Sequence, residues 1–151
     1  MSDARELILA RMREVAEVVL IDSFEADYAP RNMLEISETR LPAVTILEGD
    51  EESAPSQIGK DRPATAPVKM SMTPEVCIVA SESPDDLGTK LNAIRKALID
   101  AFATDSDLIS ILGTNGSIAY RGMISDLGLG RAMLGRMALR FAITYFVLPG
   151  R

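Results

Sequence analysis

The chain has 151 residues, 47% of them hydrophobic and 25% charged, a size that fits one domain and lets a core form without crosslinks. A formal net charge of −6 disfavours nucleic-acid binding, because phosphates are held by cations whose contacts release counterions. With no histidine and a single cysteine, Cys77, the chain lacks the commonest base at neutral pH and cannot form an internal disulfide, so a reducing compartment is expected.

Asp3 followed by Glu6 has capping-box spacing and opens a helix over residues 4–19, with Ile8, Met12, Val15, Ala16 and Val19 as its inner stripe. The pattern fades after Ile21, and the stretch to Arg40 reads as loop with a short turn. Residues 41–47 form a strand with Pro42 at its start, where a missing N–H is tolerated. Residues 48–63 offer little to bury and are expected to be a mobile acidic loop. Loops longer than about 12 to 15 residues are usually functional or disordered.

Alternation resumes with Val68, Met70, Met72, Val76 and Ile78 on one face, and Pro74 places this strand at an edge or on a bulge. Ser83, Pro84, Asp85 and Asp86 mark a helix start, with Ser83 as the cap and two acids set against the helix dipole. Leu87, Leu91, Ile94, Leu98 and Phe102 continue it as an amphipathic helix. Residues 104–112 read as a further short helix, and Gly113, Asn115 and Gly116 turn the chain into a long β-hairpin. In its last strand the odd positions Met137, Leu139, Phe141, Ile143, Tyr145 and Val147 are apolar, while Ile118, Tyr120 and Ile124 share one face of its partner.

The order is therefore α-β-β-α-β-β. One apolar stripe per helix and one apolar face per strand predict a single α/β (α+β) domain over residues 1–151. Its two main helices pack on one face of a roughly four-stranded, mostly antiparallel sheet. No apolar run approaches the roughly 20 residues needed to cross a bilayer, and no secretory apolar region is present, so a soluble, cytosolic protein without membrane partners is expected.

Chemistry has few candidates. Cys77 lies inside a predicted strand with no imidazole to activate it and reads as a small apolar residue. Glu48, Asp50, Glu51 and Glu52 lack calcium-loop spacing and read as a solvated acidic run. Gly130 and Gly135 have P-loop spacing, but Arg136 and Met137 stand where Lys and Ser/Thr are needed, and a strand follows in place of a helix. The dinucleotide fingerprint fails as well, with Met133 at its third glycine. No catalytic residue, cofactor or metal site is assigned. Among the methionines, Met70, Met72 and Met137 read as core, while Met133 divides evenly between core and contact surface.

Charge is distributed unevenly. Residues 22–61 hold ten acids and three bases, whereas from Ser117 onward five arginines accompany the single acid Asp126. The hairpin connection also carries apolar residues that a lone chain would leave in water, so Leu129, Arg131, Met133, Leu134 and Arg136 are the candidate subunit or partner interface. Opposite charge blocks on one chain suit head-to-side contacts between copies. Two solvated faces would carry the same pattern.

Five segments, residues 41–51 (LPAVTILEGDE), 70–75 (MSMTPE), 91–95 (LNAIR), 112–122 (LGTNGSIAYRG) and 126–137 (DLGLGRAMLGRM), resemble in order and spacing the tail terminator and minor tail proteins of long-tailed bacteriophages and phage-derived particles. The resemblance implies a non-enzymatic virion protein, assembled in the host bacterial cytoplasm, that forms a hexameric ring at the head-proximal end of the tail. Such a ring ends tube polymerisation, contacts the tail tube protein and a head-completion or connector protein, and lets DNA pass through its centre. Asp50, Glu51 and Glu52 are then expected to face the lumen or an adjoining ring, repelling DNA in transit. The alternatives are a head-tail joining or stopper ring protein, a stand-alone small-ligand-binding α+β module, and an enzyme working with carboxylates alone.

Overall fold

The computed structural model describes residues 3–53, 64–126 and 134–150. In chain order these form α1 (Ala4–Phe24), β1 (Ala43–Leu47), β2 (Glu51–Ser53), β3 (Val68–Met72), β4 (Glu75–Ser81), α2 (Pro84–Thr104), α3 (Ser106–Leu112), β5 (Ser117–Asp126) and β6 (Leu134–Val147). The fold is α+β: among the described residues, three α-helices and a six-stranded antiparallel sheet. The expected four strands become six because a short strand, β2, forms within the expected loop and one of the four is interrupted. Register shows where: β3 pairs Met72 with Ile143 and β4 pairs Glu75 with Arg140, so both lie in one unbroken register along β6.

Pro74 makes that interruption. Its carbonyl accepts from the Phe141 N–H at 3.2 Å, but it has no N–H to return the bond. The proline, expected at a sheet edge or a bulge, lies inside the sheet beside a bulge: an outer run covers β3 and β4 and carries one extra residue opposite it. β1 pairs with β4, and β2 pairs with β3 one residue out of step. The step falls at Gly49, whose φ of 71° is in the left-handed region and whose added Cβ would stand 2.3 Å from the Thr73 carbonyl oxygen. The expected loop over 48–63 is thus ordered at its start, with residues 51–53 forming β2; residues 54–63 lie outside the described ones.

One face of the sheet carries the core. Met137, Leu139, Phe141, Ile143 and Tyr145 of β6 are buried with Val76 and Ile78 of β4 beneath the helices. Leu87, Leu91, Ile94, Leu98 and Phe102 of α2 meet them as the spacing predicts, with Phe102 edge-on to Phe141 at 5.4 Å between ring centres. Gly135 is buried because a Cβ there would press to 2.9 Å on Leu91, so the helix sits directly on the strand backbone.

Helix ends differ in detail from their sequence signals. Asp3 caps α1 by accepting from the Arg5 N–H at 3.1 Å, but the capping box stays open because Glu6 turns away to Arg31. The Ser83 hydroxyl donates to the Asp86 carboxylate at 2.9 Å in place of receiving a backbone N–H. α1 runs five residues past the expected end at Val19, to Phe24. The stretch after it is not free loop, since residues 28–32 lie parallel to β1: Tyr28 and Pro30 carbonyls accept from Val44 and Ile46, and the Asn32 N–H returns to the Ile46 carbonyl. One side of the sheet is thereby closed, while β5 pairs with β6 alone.

Candidate functional site on the open face of the hairpin

Even positions of β6 project from the sheet face that carries no helix. Arg136 and Arg140 are exposed there, in register with Val79 and Glu75 of β4. On β5 the pairing slips between Tyr120 and Gly122, so Arg121 is an extra residue in the ladder, and Gly122 takes φ 128°. Every later side chain on β5 changes face. Ile118 and Tyr120 pair with Ile143 and Phe141 on the core side, but Ile124 pairs with Ala138 and Asp126 with Arg136, both on the open side. The expectation that Ile124 shares a face with Tyr120 is corrected by this bulge. A period of two survives only while pairing is one to one.

Two clefts lie on the open face. Thr73, Glu75, Arg121, Arg140 and Phe141 line one of about 360 Å³. The other, about 150 Å³, is more apolar and lies among Leu34, Cys77, Val79, Ile124 and Ala138, with Asp126 and Arg136 at its rim. Leu34 arrives from the segment after α1, where the Met33 N–H donates to the Thr45 hydroxyl at 3.2 Å and so satisfies a polar group that is 2% exposed. Ile124 and Leu34 remain 58% and 60% exposed, a large apolar surface left in water. Burial pushes the Cys77 thiol up to about 11, with the Glu75 charge adding to it, which keeps this side chain a neutral wall of the cleft.

Among the described residues, the arginines of this face have no ionic partner. Glu75 and Asp126 stand across the ladder from Arg140 and Arg136, yet no described carboxylate comes within salt-bridge distance of Arg121, Arg136 or Arg140. Three guanidiniums therefore share the face with two carboxylates. Below it, β5 is anchored to the helix layer: Arg95 of α2 donates to the Tyr120 hydroxyl at 3.0 Å, and the Tyr120 ring leans on Phe141 at 5.6 Å. The strand that carries the site is rigidly placed at this end.

Of the interface residues expected from sequence, Arg136 is exposed on the open face. Leu134 is half buried as the first residue of β6, opposite Ser81, because the strand begins earlier than the expected end of the exposed connection. Leu129, Arg131 and Met133 lie outside the described residues. Arg121, Arg140 and Leu34 are not among the residues that sequence reasoning selects. The two arginines are legible as polar positions of the alternation, whereas Leu34 has no signal, its role depending on where a non-helical segment crosses the sheet.

The acidic residues are not a free cluster. Glu48 is held by Arg31 at 2.9 Å and by the Asn32 side-chain amide at 2.6 Å. Glu51 accepts from the Tyr145 hydroxyl, and Arg5 reaches the Gly49 carbonyl at 2.8 Å and the edge of Glu51 at 4.0 Å. Burial, then the Glu51 carboxylate, raises the Tyr145 phenol above its ordinary range. Asp50 and Glu52 stay exposed with no ion pair among the described residues. Within the described residues no group of three or more acidic or cysteine side chains is placed to hold a metal ion, and no helix is long and apolar enough to cross a membrane. No protein-family model matches the chain, and no curated protein matches it.

Proposed function

We propose that this chain is a structural subunit of a phage tail or phage-derived particle, a tail terminator whose copies form a hexameric ring at the head-proximal end of the tube. In this reading the ring stops tube polymerisation and offers its free side to a head-completion or connector protein, without catalysis and without a cofactor. The observation that carries it is the open face of the hairpin. Three guanidiniums without carboxylate partners among the described residues lie beside two large exposed apolar side chains, Ile124 and Leu34, on a sheet face that no described helix covers. Such a surface suits a protein partner, since apolar area left in water is recovered on assembly and the charges select the partner. The ordered resemblance of residues 41–149 to tail terminator and minor tail proteins supplies the class of particle.

Asp50 and Glu52, exposed at the end of the sheet near β2, are placed by this reading on the lumen, where like charge keeps DNA from adhering in transit. Glu51 contributes less, being occupied by Tyr145 and Arg5. Deleting the gene and measuring tail lengths by electron microscopy tests the function. Overlong tubes without heads are expected, because a terminator acts after polymerisation has begun. Tails of normal length beside unattached heads would instead mean a head-tail joining ring, and intact infectious particles would overturn both.

A further inference from the structure

A second surface on this chain matches the hairpin face in chemistry and lies in the helix layer, on the other side of the sheet. Along α1, Val18 and Ile21 are each 53% exposed, and Asp22 and Glu25 stand beside them. Residues three and four apart share one side of a helix, so Val18, Ile21 and Asp22 form a single stripe, and Glu25 follows at the cap. Its charge is placed against the helix dipole. The last turn of α1 carries no base, although that end favours cations, and Glu25 itself caps the helix in the left-handed region at φ 52°. Neither Asp22 nor Glu25 has an ion pair among the described residues. Next to the stripe, Val15, Val18 and Val19 line a groove of about 330 Å³ against Ala101 and Thr104.

We propose that the open face at Arg136 and Ile124 of one copy seats on the C-terminal half of α1 of the next. Guanidinium groups meet Asp22 and Glu25 at the negative end of the helix, and Ile124 and Leu34 cover Val18 and Ile21. This inference rests on the assembly reading above and names the partner surface for its site. Two unlike surfaces on opposite sides of the sheet favour head-to-tail joining over one isologous dimer, in which both would have to meet the partner from the same side. They join copies head to tail, and such a series ends only by closing into a ring or continuing as a filament. The charge match favours a second copy over an unrelated protein: the hairpin face needs an acidic apolar partner, and this chain carries one.

The test is a charge exchange in the full-length protein, with association followed by native mass spectrometry and light scattering at low ionic strength. Arg136→Glu, and separately the pair Asp22→Arg with Glu25→Arg, should each weaken association on the order of tenfold or more without lowering the thermal midpoint of the isolated chain, the latter pair adding cations at the helix end that favours them. Combining Arg136→Glu with Asp22→Arg should restore much of it, an outcome no general loss of folding can imitate. If the Asp22/Glu25 variant associates as well as wild type, α1 is not the acceptor, while the tail-length experiment still decides the function independently. A wild-type chain that stays monomeric, both alone and on isolated tail tubes, overturns the interface.

Discussion

Arginine does two different jobs in the two ends of this molecule. The five arginines of the first 53 residues are all engaged: Arg5 with Glu51 and the Gly49 carbonyl, Arg11 with Glu14 and Asp105, Arg13 with Glu17, Arg31 with Glu6 and Glu48, and Arg40 with Asp27 and the face of Tyr28. Several of these tie distant segments together. Arg11 joins α1 to the start of α3 through two bonds of 2.7 and 2.8 Å, and Arg31 joins α1 to the end of β1. In the hairpin, Arg121, Arg136 and Arg140 tie nothing by ion pairs within the described residues. Planar, bidentate groups satisfied at home stabilise the fold, and the same groups left unsatisfied are available to another chain.

The comparison breaks most severely where both regions depend on one core. Leu98 is fully buried between α2 and the sheet, so Leu98→Ala should lower unfolding free energy by about 2 to 5 kcal/mol, measured by urea denaturation. A loss below about 1 kcal/mol would mean that the helix layer is not where stability resides.

Asp105 distinguishes an engaged ion pair from an idle one. Its carboxylate receives Arg11 and also caps α3 by accepting from the Leu108 N–H at 2.9 Å. Asp105→Ala should cost about 2 kcal/mol, the sum of a lost cap and a lost charge-assisted bond. Arg136→Gln, by contrast, should stay within about 0.5 kcal/mol of wild type in the same denaturation series while association weakens, less than for Arg136→Glu. Equal costs for the two would erase the distinction between the regions.

Acid sharpens it further. The hydrogen bond from Arg11 holds the Asp105 carboxyl below its ordinary value of 3.8. A depressed folded-state pKa stabilises the protein above the unfolded value, and that contribution disappears as pH falls through the folded one. Stability should therefore decline below about pH 4, and Asp105→Asn should flatten that decline while leaving the shape of the curve between pH 5 and 8 unchanged. Denaturation midpoints at pH 2, 3, 4 and 7 check this, and a variant with the wild-type acid slope would assign the loss to other carboxylates.

The smallest effect concerns the open-face cleft. With its thiol pushed up to about 11, Cys77 should react with a neutral-pH alkylating probe far more slowly than a free thiol. If copies join through the proposed contact, assembly should slow it again, because Leu34 and Ile124 would be covered. Unchanged reactivity on association would place the contact elsewhere.

Elements whose apolar residues fall at fixed intervals are legible in the amino-acid sequence alone. The stripe of α2 and the odd positions of β6 follow from helical and strand periods, and each names the face that must leave water. The polar side of the hairpin is legible for the same reason, and Arg136 with it. Pairing decided the rest. Whether Pro74 lies at an edge depends on whether another segment arrives beside it, and that segment, the step at Gly49 between β1 and β2, is hidden at the start of an acidic stretch. One bulged residue, Arg121, moved Ile124 to the other face and so built the apolar cleft with Leu34, which is distant in the chain. Composition and period settled which surfaces are apolar and where charge accumulates, because those properties are local. Tertiary structure settled which charges find partners, because a guanidinium is satisfied only by what the folded chain brings within a few ångströms.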